Sequence, residues 1–207
     1  MDIKKTANSL IIFIIKRTAE IFGIIISISG ILLLLALFTY SPEDPNFIFS
    51  YDTEIKNILG FQGSLTSDLF FQSIGLVSYI FSFTLIITGI NIFRSKEFFL
   101  IIENIFFSII YTIVGTFFLS HYYADAFTFY INGNGGFVGS YLGNTFLKSL
   151  IIINETVFYY ILSLSIVVLF LISINFDPKK FYEVIKKFIQ FLNKKENKNY
   201  TDKSEII

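Results

Sequence analysis

Long apolar runs without a charged side chain alternate with short polar interruptions along this chain. Residues 21–40, 69–93, 104–123 and 156–176 contain no lysine, arginine, aspartate or glutamate. About 20 such residues in a helix cover the roughly 30 Å hydrocarbon core of a bilayer, so each run predicts one crossing. The first run is expected to stay in place rather than be cleaved as a signal peptide, because Ala36-Leu37-Phe38 leads into bulky and proline-flanked residues.

Local signals set the ends of these runs. Tyr40-Ser41-Pro42-Glu43-Asp44-Pro45-Asn46 stops the first helix, since two prolines and a turn cluster cannot continue it. Ser67 or Asp68 is placed to cap the second, and Arg94 ends it. Asp177-Pro178 is a helix start, an N-cap followed by proline at the first position. Beyond it Phe181, Val184, Ile185, Phe188, Ile189 and Leu192 recur at helical spacing among Lys179, Lys180, Lys186 and Lys187. Residues 177–193 therefore predict a basic amphipathic helix on an anionic membrane surface, followed by a polar, disordered tail over 194–207. Residues 1–20 form a basic segment in which Lys4, Lys5, Lys16 and Arg17 surround an apolar patch at 10–15.

Composition turns this pattern into a class. The 207 residues are 54% hydrophobic and only 15% charged, with 27 phenylalanines and a mean hydropathy of +0.67. Soluble domains carry about 25% charged residues, so this is an all-α integral membrane protein. The net charge of zero hides an asymmetry: 14 of the 16 lysines and arginines fall in the N-terminal segment, the connection at 94–103 and the C-terminal stretch. With four crossings these share a side, and the positive-inside rule makes it the cytoplasm. Tyr40, Tyr122, Tyr123, Tyr159 and Tyr160 then fall at the outer interface.

Glycine is concentrated in one place. Five of the 12 glycines lie in 132–150, and Gly135, Gly139 and Gly143 recur every four residues, with Gly136 among them. On a helix these positions share a face stripped of side chains, suited to close packing. A flexible outer loop with turns at Asn132-Gly133 and Asn134-Gly135 is one reading; a short outer helix over about 136–150 is the favoured one, because the four-residue spacing and the apolar residues after it exceed what a loop needs.

Catalytic and ligand chemistry finds little footing. No cysteine is present, which excludes disulfides, thiol catalysis and cysteine-ligated metals. His121 is the only histidine; Asp125 is its one partner at helical spacing, and an interfacial polar residue is the simpler reading. Asp44, Asp52, Glu54 and Asp68 lack EF-hand spacing and read as a solvated acidic loop. The glycine segment has no lysine of the phosphate-binding kind. No span holds a central charge, which argues against a pump or proton-coupled carrier. No cofactor, metal or nucleic-acid partner is expected, and a small passive channel or transporter subunit is the alternative reading.

Three ordered passages resemble the N-terminal four-helix membrane domain of FtsK/SpoIIIE-type DNA translocases. They are Leu37-Phe38-Thr39-Tyr40-Ser41-Pro42-Glu43-Asp44-Pro45, the N-x-x-G-x-x-G-containing stretch Asn57 to Leu69 with Gly60, Gly63 and Asp68, and Gly135-Gly136-Phe137-Val138-Gly139-Ser140-Tyr141-Leu142. Ser64 and Ser67 stand where that family usually has alanine. The resemblance implies an inner-membrane anchor or scaffold at the division septum, linking cytokinesis to chromosome partition. It implies self-association into a homo-oligomer and contacts with membrane lipids, division proteins and a separately encoded motor. The motor domain of that family is not expected in these 207 residues, so no enzyme activity is assigned.

Overall fold

The computed structural model describes residues 3–45, 54–124 and 132–196. All regular structure among them is helical: α1 (Ile3–Phe38), α2 (Gly60–Ile74), α3 (Val77–Ser95), α4 (Phe99–Tyr122), α5 (Gly136–Gly143), α6 (Leu147–Ile153), α7 (Glu155–Ser173) and α8 (Pro178–Glu196). Four of these, α1 from Asn8 onward, α3, α4 and α7, are long and apolar enough to cross a membrane. The chain is an all-α, four-span membrane domain.

The spans lie side by side in the order α1, α3, α4, α7, each antiparallel to the next. Small residues bring α1 and α3 together. A Cβ on Gly23 would stand 2.7 Å from Gly89 O, and one on Gly30 would stand 2.8 Å from Ile86 N. Ser27 Oγ adds a hydrogen bond to Ile86 O at 3.3 Å. Close backbone approach over small residues is how helices gain packing where lipid supplies no hydrophobic drive.

The α3–α4 seam is polar and buried instead. The Thr84 and Tyr111 hydroxyls are 2.9 Å apart, and Asn104 Nδ2 donates to Thr88 Oγ1 at 3.0 Å. Tyr111 also carries the α4–α7 contact, its ring 6.1 Å from that of Phe170 in an edge-to-face arrangement.

Three expected elements differ from the observed ones. The run 69–93 is not one span. It breaks at Gly75, where φ is 58°, into the end of α2 and most of α3. Helix α2 starts at Gly60, so neither Ser67 nor Asp68 caps it. Both lie in its interior, where Ser67 Oγ donates back to Gly63 O and Ser64 O. The expected helix over 136–150 is two short helices, α5 and α6, bent by 70°. The bend begins as α5 closes on Asn144, whose N–H bonds Tyr141 O in a tighter turn.

Residues 176–207 form a separate unit. Its helix α8 begins at Pro178, where Asp177 Oδ1 accepts the N–H of Lys179 at 3.0 Å as an N-cap does. It runs to Glu196, three residues beyond the expected end; 197–207, the remainder of the expected tail, lie outside the described residues. Lys179, Lys186 and Lys187 are exposed, as are Phe181, Ile185 and Ile189, while Lys180 belongs to the same helix.

Candidate functional site: a glycine-built cap

At the end of the bundle carrying Tyr40 and Tyr122, three segments interlock: the turn after α1, helix α2, and the glycine segment leading into α5. Asp44 organises the first. It is buried, and its two carboxylate oxygens accept the N–H groups of Lys56 and Asn57, each at 2.9 Å. Asn57 is buried too, donating from Nδ2 to Ala36 O at 2.9 Å. That carbonyl lies in the last turn of α1, where backbone acceptors have no helical partner. Asn57 Oδ1 takes the N–H of Leu59 at 3.1 Å and fills the space beside Gly63, where any Cβ would collide with it. Ser64 Oγ donates to Pro45 O at 2.8 Å, and the Tyr40 hydroxyl donates to Asp68 at 3.2 Å. The passages 37–45 and 57–69 are therefore one folded unit.

An exposed ion pair between Lys56 and Glu43 closes its edge. Hydrogen bonding from Lys56 holds the Glu43 carboxyl below its ordinary value, and Glu43 raises the Lys56 ammonium in return.

The third segment docks into the break between α2 and α3. Leu76 N–H, left free where the helices part, donates to Asn134 O at 2.9 Å. A Cβ on Gly75 would overlap that same carbonyl, and one on Gly136 would sit 2.6 Å from Gly75 N. Both residues have positive φ, 58° and 63°, so glycine is needed here for conformation as well as for space. Asn134 is fully buried and donates to Tyr123 O, while Asn132 Nδ2 donates to Gln72 O at 3.1 Å. Gly135 and Gly139 then lie on α4, where a Cβ on either would overlap Thr116 O.

Other highlighted residues are placed differently. A Cβ on Gly143 would stand 3.6 Å from Ser120 Oγ, an ordinary contact, and Gly60 has nothing within 4 Å of where its Cβ would be. The requirement at Gly60 is its φ of 63°. On the side of α5 away from α4, Phe137 and Tyr141 are exposed and stacked, their ring centroids 6.3 Å apart. His121 lies edge-on to Tyr122 at 4.7 Å; Asp125 and Asp52 lie outside the described residues.

The tyrosines form a layer beside the cap. The Tyr123 and Tyr159 hydroxyls are 2.9 Å apart, and the Tyr122 hydroxyl donates to Glu155 O at 2.8 Å. Phe118 touches three of these rings. No group of three or more metal-ligating side chains occurs among the described residues.

Gly75, Asn57, Asn134 and the Gly23–Gly89 crossing were not singled out as sites from the sequence. Gly75 interrupts an apolar run, and Gly23-x-x-x-Ser27 is a small-residue pair at helical spacing. Those signals were available. Nothing local marked Asn57 as buried or Asn134 as fully enclosed.

Four spans with a polar, glycine-built cap define the class, an all-α membrane domain. The chain belongs to the family described as the 4TM region of DNA translocase FtsK/SpoIIIE, whose model matches residues 15–186. Its relatives include a DNA translocase FtsK of Azospirillum brasilense, 28% identical over 41% of this chain and 14% of that protein. The FtsK of Caulobacter vibrioides is 34% identical over 36% of this chain and 9% of its own length. That of Rhizobium meliloti is 29% identical over 39% and 9%. The chain thus covers only a small part of the relatives it matches, within their membrane region. No solved structure matches it.

Proposed function

We propose that this chain is the membrane anchor that ties a DNA-translocating motor to the division septum of the inner membrane. The observation that carries the reading is the agreement between family and geometry. The match spans residues 15–186, and the three motif passages meet in one cap rather than lying apart. In this reading both termini are cytoplasmic and the cap faces outward, which agrees with 14 of 16 basic residues lying on the other side of the spans. The chain self-associates and meets division proteins through the cap. Helix α8 rests on anionic lipid through Lys179, Lys180, Lys186 and Lys187. Movement of DNA belongs to the motor, and the chain's own part is placement.

A fluorescent fusion in dividing cells tests placement: enrichment at midcell is expected, and an even distribution around the envelope overturns the proposal. Reporters inserted after Gly133 test orientation: one that works only in the periplasm should be active, and activity there of one that works only in the cytoplasm would reverse the topology.

A further inference from the structure

The pairing of α1 with α3 fixes how much of α1 the bilayer can cover. At one end Lys96 Nζ is 2.7 Å from Glu20 Oε1; at the other the Tyr79 hydroxyl donates to Leu37 O at 3.2 Å. The 19 residues of α3 rise about 28 Å, close to the roughly 30 Å of hydrocarbon. Helix α1 is thus matched to α3 from Glu20 to Phe38. Residues 3–19 continue past the end of α3 by about 25 Å. The headgroup layer is only about 5–8 Å deep on each side, so a straight α1 would carry Leu10 to Ile15 into water.

Those six residues are poorly suited to water. Leu10, Ile11, Ile12, Phe13, Ile14 and Ile15 are each between 50% and 59% exposed. At 100° per residue they encircle the helix, whereas a helix apolar on every side belongs in an apolar medium. Packing against a second helix would cover one side alone. Basic residues bracket the ring, Lys4 and Lys5 before it and Lys16 and Arg17 after it, with Asp2 the only acid before Glu20. Arg17 also lies over the Phe13 ring at 5.2 Å. Thr18 Oγ1 donates back to Ile14 O at 2.9 Å, a bond that favours bending of the helix at that turn.

We propose that residues 3–17 are a second lipid-binding element: α1 bends near Thr18 and embeds Leu10 to Ile15 in the surface of an anionic leaflet, with the flanking lysines on lipid phosphates. Embedding surrounds the ring with lipid on all but a narrow strip, and the three lysines complement the anionic surface, Arg17 being paired with Glu20 at 2.5 Å. The bend also resolves the mismatch between a 36-residue helix and a bilayer that needs about 20.

Because the chain has no cysteine, single nitroxide labels report this directly. Ile11→Cys, Ile12→Cys, Phe13→Cys and Ile14→Cys variants of the full chain, labelled and placed in nanodiscs, sample the helix in 100° steps. In nanodiscs rich in phosphatidylglycerol, oxygen should out-compete a water-soluble nickel chelate as the collision partner around the helix. In phosphatidylcholine nanodiscs the oxygen-to-nickel ratio should fall at least about fivefold, as should that of a Lys4→Gln/Lys5→Gln/Lys16→Gln variant in the anionic lipid. Dominant nickel collisions at every position overturn the proposal. Adjacent positions shielded from both reagents would show that protein covers the ring, and equal ratios in both lipids would show that charge does not hold it; either result overturns it too.

Discussion

Glycine performs two different tasks in this molecule, and the contrast separates its membrane interior from its cap. Where α1 crosses α3, Gly23, Gly30 and Gly89 keep ordinary helical conformations and serve by what they lack. Backbones come so near that a Cβ on Gly89 would lie 2.5 Å from Ser27 N. In the cap, Gly75 and Gly136 must also hold positive φ, because the chain turns there and lends freed backbone groups to a neighbouring segment. The first task excludes a Cβ through want of space alone. The second tolerates glycine alone, since an L-residue in the left-handed region costs about 1–2 kcal/mol before any collision is counted.

Breaking the cap should therefore cost most. Gly75→Ala meets both penalties, wrong φ and overlap with Asn134 O, and should destabilise by about 3 kcal/mol or more. Limited proteolysis should find the segment before α5 accessible in this variant and protected in the parent. A parent-like digestion pattern and melting temperature would show that the cap is not locked at Gly75.

Next come two leucine substitutions that test space without conformation. Gly139→Leu drives a side chain into Thr116 O, and Gly89→Leu drives one into α1; each should cost about 2–3 kcal/mol in detergent melting experiments. Gly143→Leu, at an ordinary contact distance, should change the melting temperature little. Equal losses at Gly139 and Gly143 would mean that α5 does not lie on α4 by its Gly139 side. Gly60→Ala isolates conformation from space, with φ of 63° and nothing within 4 Å, and should cost about 1 kcal/mol.

The smallest effect belongs to the exposed Glu43–Lys56 pair. Glu43 is held below its ordinary value of 4.5, so its contribution is complete above that pH and is lost as pH falls through the lowered one. Lys56 is raised above 10.5, so its share persists below that and is lost as pH climbs through the raised value. Glu43→Gln should remove only the pair's share of the melting-temperature drop on acidification, and added salt should mask it, as expected of a surface pair. A large loss at neutral pH would show that the pair, rather than Asp44, holds the loop.

Much of this fold was legible along the chain. Uncharged runs of membrane length specify four crossings, because an unpaired charge in hydrocarbon is costly. Asp177-Pro178 starts α8 as read, since an N-cap and a first-turn proline act within a few residues of themselves. The ordered motifs around Tyr40, Gly63 and Gly136 led to the family that the match over 15–186 shows.

Readings that depended on a distant partner changed most. Leu69 to Phe93 looks like one span until Asn134, some 60 residues on, accepts the N–H of Leu76 and makes the break at Gly75 affordable. Asp68 has the chemistry of a cap, and Tyr40 claims it instead. The sequence by itself determined that the chain is a four-span helical membrane domain, because hydrophobic length and charge are properties of each segment alone. Only the tertiary structure decided the pairing of α1 with α3, the split of α2 from α3 and the seat of the glycine segment. Each depends on backbone groups and bare glycine surfaces meeting across the chain, and a linear pattern of residue types carries no record of which carbonyl will be near which N–H.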